Sequence, residues 1–211
     1  MTAPDQTESS DRRRQIMEAA LKVFSTRGFQ GATNKDIAEA AGGISPGLIY
    51  HYFKDKQDLF FSLLREQGRL IQLADDPQQL MSLPPREGLT LIGHSYLGML
   101  DAPENVAIFR IILTETLRFP EVADMIRQTI VDRVFRVLRA YLQHQIDQGH
   151  IRPHDTSLGV RAFLGSIVIN VIAREVLRQP EALNTTNDQI VAMAVEIFLH
   201  GLSRVGGPPD V

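Results

Sequence analysis

Apolar side chains recur along this chain at spacings of three and four, and no stretch keeps the two-residue alternation of a half-buried strand. Ile16, Ala19, Ala20, Val23 and Phe24 begin the pattern and give one apolar face to a helix over residues 11–27, which Gly28 stops. Thr33, with Asp36 three positions on, forms a capping box for a short second helix that turns Ile37, Ala38 and Ala41 inward. Gly42 and Gly43 break it. Ser45 as N-cap and Pro46 as first helical residue open a third short helix that ends near Phe53, with Ile49 and Phe53 four apart on its inner side. Asp55 caps a fourth helix that runs through Ile71. Residues 75–86 carry three prolines and read as a loop. Further helices follow over 86–100, 104–117, 121–148, 156–177 and 188–204, separated by Pro103, Pro120, Gly149 with Pro153, and Pro180. The expected fold class is all-α, with about nine helices.

Three short helices joined by tight turns make a helix-turn-helix, in which the third helix can enter the DNA major groove while the second crosses the backbone. The charge distribution agrees. Net charge is −3, yet all four lysines lie within the first 56 residues. Residues 12–56 hold eight basic side chains against four acidic ones. A positive end on an acidic chain suits a phosphate-binding head on a separate body, though a solvated charged face gives the same statistics. Gly47 falls in the first turn of the third helix, where glycine costs up to about 1 kcal/mol relative to alanine. Close approach of the backbone to a base edge or phosphate would explain that cost. Ser45, Tyr50, His51 and Tyr52 offer hydroxyls and a ring nitrogen to phosphate, and Lys54 and Lys56 stand at the start of the fourth helix. Arg12, Arg13 and Arg14 crowd the expected start of the first helix, against its dipole, and serve either phosphate contact or solubility.

The run Thr33-Asn34-Lys35-Asp36-Ile37-Ala38-Glu39-Ala40-Ala41-Gly42, then Ser45-Pro46-Gly47-Leu48-Ile49-Tyr50-His51-Tyr52-Phe53, then Lys56 and Leu59, resembles the TetR family of bacterial regulators. The detailed match covers residues 14–60. Gly149-His150-Ile151-Arg152-Pro153 and Phe198-Leu199-His200-Gly201-Leu202 are softer echoes. The resemblance implies a DNA-binding head, a body that binds a small effector, and a dimer. It implies DNA contact by Thr33, Ser45, Gly47, Tyr50, Tyr52 and Lys56, to which the residues themselves add Lys35, Pro46, Leu48, His51 and Lys54. Two features depart from the family pattern. The Gly42-Gly43-Ile44 turn is one residue longer, which can shift the recognition helix, and Leu48 stands where a small polar residue is common. Leu48 either touches a thymine methyl or packs.

The expected division is a head over residues 1–54, of which 1–10 lie outside the ordered fold, a body over 55–205 and a flexible tail over 206–211. Polar residues embedded in apolar helices of the body are candidates for an effector pocket: His94, Tyr96, Arg110, Thr114, Arg118, Tyr141 and Asn170. Arg110 with Thr114, and Glu115 with Arg118, also fit ordinary same-face pairs. Ala162, Gly165, Ser166 and Ile169, with Val191, Val195, Phe198 and Leu202, are the candidate dimer interface, an intramolecular core being the other reading.

Other classes find less support. With no cysteine there is no disulfide, thiolate zinc site or thiol nucleophile. His150 and His154 straddle Pro153 and make a poor metal pair. Gly43-Ile44-Ser45-Pro46-Gly47 matches the nucleophile pattern of hydrolases but lacks a preceding strand, and Pro46 has no amide hydrogen for an oxyanion. No apolar stretch behind the three arginines reads as a signal peptide, and the run over 163–173 is too short to cross a bilayer. The expectation is a cytoplasmic, non-enzymatic regulator without cofactor or membrane partner. It binds a palindromic double-stranded DNA operator as a homodimer and is released by an unidentified small molecule. A carrier or sensor whose head does not bind DNA is the alternative.

Overall fold

The computed structural model describes residues 4–67, 69–100 and 103–202, and every regular element among them is helical. The helices group into two compact units, Met1–Gln67 with Ala102–Asp124, and Gly68–Asp101 with Met125–Val211. The chain therefore passes from one unit to the other three times.

In the first unit, α1 (Pro4–Gly31) buries Ile16, Ala20 and Phe24 on one face, as its periodicity requires. It begins earlier than residue 11, so residues 4–10, expected outside the fold, are helical. Arg12, Arg13 and Arg14 thus stand well inside the helix and escape the unfavourable dipole. At Gly28 the backbone leaves the helical region for φ 70°, ψ 170°, which kinks the chain just before Phe29. Helix α2 (Asn34–Ala40) carries the expected capping box: Asp36 N–H donates to Thr33 Oγ1 at 3.2 Å, and Thr33 N–H donates to Asp36 Oδ2 at 3.0 Å. The Thr33 hydroxyl, donating to Asp36 Oδ2 at 2.7 Å, and then the Thr33 N–H hold the Asp36 carboxyl below its ordinary value.

The longer turn after α2 has a plain cause. Gly42 and Gly43 both adopt positive φ, 89° and 75°, so the amides of Gly43 and Ile44 fold back onto Ala38 O at 3.1 and 3.0 Å. Helix α3 (Pro46–Tyr52) then starts at Ser45, whose Oγ accepts from Gly47 N–H, and anchors itself by Ile49 and Phe53. In α4 (Lys56–Gln67), Leu59, Phe60, Leu63 and Leu64 face inward, and Phe24, Phe29 and Phe60 stack with ring centroids 5.0–5.7 Å apart. Arg13 pairs with Glu66 and lies over the Phe53 ring, tying α1 to α4 and to the end of α3. The remaining helix of this unit is α8 (Pro103–Arg118), which lays Ile108, Ile111 and Glu115 against α1.

The second unit comprises α5 (Arg69–Asp75), α6 (Gln78–Ser82), α7 (Pro85–Leu97), α10 (Asp132–Asp147), α11 (Thr156–Val171), α12 (Pro180–Leu183) and α13 (Asn187–Leu202). α9 (Pro120–Ile126) runs across the boundary at Asp124. Helix α6 occupies part of the expected 75–86 loop, because Leu80 buries completely there. Two π-helical stretches, Arg127–Val131 and Ile172–Val176, interrupt helices expected to be regular. The core forms where α7 packs on α5, α11 and α13, and α11 packs on α10 and α13. Thr156–Val176 is apolar and long enough, at 21 residues, to cross a membrane. Here it packs Val160, Phe163, Leu164, Ile167 and Val171 against neighbouring helices.

Gly88 of α7 and Tyr141 of α10 approach each other closely. Tyr141 is fully buried, and its hydroxyl donates to the carbonyls of Pro84 at 3.0 Å or Leu83 at 3.2 Å. Gly88 lies under the phenol, and a Cβ there would stand inside its Oη and Cζ. Gly88→Ala is therefore expected to destabilise the protein by about 3 kcal/mol or more, the upper end for overpacking a core. Tyr141→Phe, which only loses the hydrogen bond, is expected to cost about 1 kcal/mol. Chemical denaturation of the two variants compares them directly.

Candidate nucleic-acid interface

Anchored by Ile49 and Phe53, α3 turns Ser45, Pro46, Gly47, Tyr50 and His51 outward, and Tyr50 is 58% exposed. Leu48 and Tyr52 are half-buried, and the His51 and Tyr52 rings meet edge to face at 5.2 Å. Thr33 and Lys35 are exposed at the start of α2, as is Lys54 before α4. Ten of the eleven residues assigned to DNA from the sequence thus have surface outside the packed faces of α2 and α3, with side chains free to act or already set in caps. Ser45 Oγ is used by the Gly47 amide. The segment before it is a turn after a helix.

Lys56 is the exception. The sequence places it on phosphate, but its ammonium donates to Phe29 O and Ala32 O at 2.8 Å and to Gln30 O at 3.3 Å, 4.7 Å above the Phe29 ring. Burial lowers its pKa, while the nearby Glu115 carboxylate raises it. An ammonium has three protons, and here three carbonyls take them.

The residues proposed for an effector pocket are divided between the two units. Arg110, Thr114 and Arg118 belong to the first unit and are exposed along α8. His94, Tyr96, Tyr141 and Asn170 belong to the second. Tyr141 is a core residue whose hydroxyl is already bonded. Asn170 Nδ2 donates to Ser166 O within its own helix at 2.8 Å. His94 Nε2 lies 3.8 Å from Asp188 Oδ1. Tyr96 is half-buried, and burial pushes its phenol pKa up to about 12.

The expected dimer residues divide in the same way. Ala162, Gly165, Ser166 and Ile169 of α11 are exposed. Val191 and Val195 of α13 are 1% exposed and face their own subunit, Val191 pressing on Gly93 of α7. The Leu202 side chain lies outside the described residues, and Phe198 is half-buried against Phe163, with centroids 5.4 Å apart. The outward apolar side chains of α13 are instead Met193 and Ile197, 61% and 65% exposed, which the sequence reading missed. Their signal was present: two large apolar residues four apart, off the main stripe. Ile197 lines a groove of about 400 Å³ together with Phe198, and with Leu158, Ala162 and Phe163 of α11.

An all-helical chain with a capped helix-turn-helix at one end and a separate helical unit is the architecture of a one-component regulator. Comparison with known proteins gives the family. Residues 16–63 match the family described as bacterial regulatory proteins of the tetR family, and residues 87–201 match the C-terminal domain of AefR-like transcriptional repressors. The transcriptional repressor AcnR of Corynebacterium glutamicum is 30% identical over 77% of this chain and 80% of its own. The regulator UidR of Escherichia coli K12 is 28% identical over 80% of this chain and 83% of its own. Among solved structures, the TetR-family regulator PfmR of Thermus thermophilus is 26% identical with a TM-score of 0.61, covering 90% of this chain and 99% of that one. The fatty acid degradation regulator FadR of Bacillus halodurans, 24% identical, shares the fold with a TM-score of 0.70, covering 90% and 98%. The chain belongs to the TetR family of transcriptional regulators.

Proposed function

We propose that this protein is a repressor that binds a palindromic operator as a homodimer and leaves it when a small molecule binds. The observation that carries the reading is the outward face of α3, an exposed helix rigidly seated by Ile49 and Phe53. Tyr50, His51 and Gly47 are presented to the groove, with Ser45, Thr33, Lys35 and Lys54 disposed for the phosphates on either side. Leu48, half-exposed, is suited to a thymine methyl.

Dimerisation is assigned to the outer faces of α11 and α13, where Leu158, Ile169, Met193 and Ile197 form an exposed apolar patch. A two-fold interface uses the same patch on both subunits, and small residues at Ala162 and Gly165 permit close approach of the helices. Release follows from differential affinity: an effector that prefers one arrangement of the two units shifts the population away from the DNA-binding one. Its binding groups in the second unit are proposed to include Tyr96 and His94. The three crossings of the chain between the units, near residues 67, 101 and 124, are the covalent routes for such coupling.

The assignment of cations is tested by salt dependence. Lys35→Ala and Lys54→Ala should each weaken binding to any duplex and reduce the magnitude of the slope of log affinity against log salt by about one. Binding of both variants with the wild-type slope would remove these lysines from the interface.

A further inference from the structure

We propose that Glu115 of α8 and Lys56 of α4 clamp the segment 28–32 from its two polar sides, and that this clamp sets the orientation of α2 and α3 on DNA. Glu115 is thereby a positioning residue for DNA binding, although it lies some sixty residues beyond the head in sequence. The inference rests on the DNA-binding reading above for its functional consequence, but its structural half stands alone.

Glu115 is a carboxylate only 6% exposed. Its Oε2 accepts the backbone N–H of Gln30 at 3.0 Å. Its Oε1 lies where a Cβ of residue 28 would be, 2.6 Å away, so this approach requires Gly28 on grounds of space as well as its positive φ. Lys56 takes the carbonyls of the same segment, at Phe29, Gln30 and Ala32. Amide hydrogen on one side and carbonyl oxygen on the other are thus held by opposite charges from two different helices. Thr33, the next residue, is the N-cap of α2 and a proposed DNA contact. Any shift of the segment moves the start of that helix.

Apolar packing alone could seat α8 on α1, and Ile108 and Ile111 do so on the same face. A buried carboxylate is unfavourable unless paired, so its presence calls for a role that packing does not fill. Hydrogen bonds fix a register, whereas apolar surfaces tolerate sliding. The clamp also accounts for Lys56, whose protons point to the segment rather than outward.

The test uses the full-length protein and four variants, Glu115→Ala, Glu115→Gln, Lys56→Ala and the double Ala variant. Temperatures are kept at which circular dichroism shows each folded. Two readouts are taken. One is hydrogen exchange of peptides covering residues 28–37 and 16–24. The other is affinity, across a salt series, for the DNA duplex that the wild type enriches most from a random pool. Glu115→Ala and Lys56→Ala should speed exchange in 28–37 by about tenfold and leave 16–24 unchanged. Each should weaken duplex binding by about tenfold with the salt slope unaltered. The double variant should be no weaker than the weaker single, because both act through one element. Glu115→Gln retains an oxygen for the Gln30 amide and should bind within about threefold of wild type. Wild-type exchange and affinity in Glu115→Ala would overturn the proposal, as would a slope reduced by about one in Lys56→Ala, which returns that lysine to phosphate. Failure of the wild type to enrich any duplex would count against DNA binding alone, since exchange still decides the clamp. Should Glu115→Ala not fold, Lys56→Ala and Glu115→Gln decide the clamp by the same two readouts.

Discussion

Ile197→Arg should convert the protein to a folded monomer and lower its operator affinity by at least about a hundredfold. Ile197 is 65% exposed, so a cation there costs the isolated subunit little, yet it places like charges across a two-fold axis at every encounter of two copies. Two heads on one dimer bind half-sites about 34–36 Å apart, or a multiple of that. The second head binds at an effective concentration in the millimolar range, and a monomer loses that gain of two or more orders of magnitude. Gly165→Arg should behave alike, because the space around its Cβ is open. Val195→Arg is the control: at 1% exposure it buries an unpaired charge in the subunit's own core and should unfold the protein instead. Light scattering with circular dichroism separates the two outcomes. A dimeric Ile197→Arg protein would move the interface elsewhere.

Gly47→Ala should raise stability and lower operator affinity together. Nothing in the protein requires glycine at this position, since an added Cβ meets only Ser45 Oγ, at an ordinary 3.4 Å, and no positive φ is involved. Alanine is favoured in a helix by up to about 1 kcal/mol, worth about 2–4 °C in melting temperature for a chain of this size. A residue that the fold would gain by replacing is explained by what approaches from outside, here the sugar-phosphate backbone or a base edge. The expected loss of operator affinity is about tenfold, the effect of one misplaced contact of about 1–2 kcal/mol. Unchanged affinity with raised stability would show that α3 does not come that close to DNA through its first turn.

The head was largely legible in the sequence because its elements are set by local chemistry. Thr33 with Asp36, Ser45 with Pro46, and paired glycines at 42 and 43 act within about six residues of where they stand, and each did what its type implies. Lys56 was not legible, because its partners are carbonyls of a segment more than twenty residues earlier, exposed only by the kink at Gly28. Glu115 was no more legible, since nothing local reveals that its carboxylate meets the amide of Gln30. In α13 the periodicity found the stripe of Val191, Val195 and Phe198 but could not say which of two apolar faces turns inward. Packing of Val191 on Gly93 turns that stripe inward and leaves Met193 and Ile197 exposed. Likewise, α10 and α11 were found as helices, but the π-helical stretches at Arg127–Val131 and Ile172–Val176 leave no periodic signature in so few residues.

The central claim is that the outward face of α3 reads DNA as one half of a dimer, and selection of bound duplexes from a random pool tests it most directly. The expected product is an inverted repeat whose half-sites are one helical turn apart or a multiple of it, with Tyr50→Ala or His51→Ala weakening its recovery. No enriched sequence, or an enriched sequence recovered equally well by both variants, would contradict the claim.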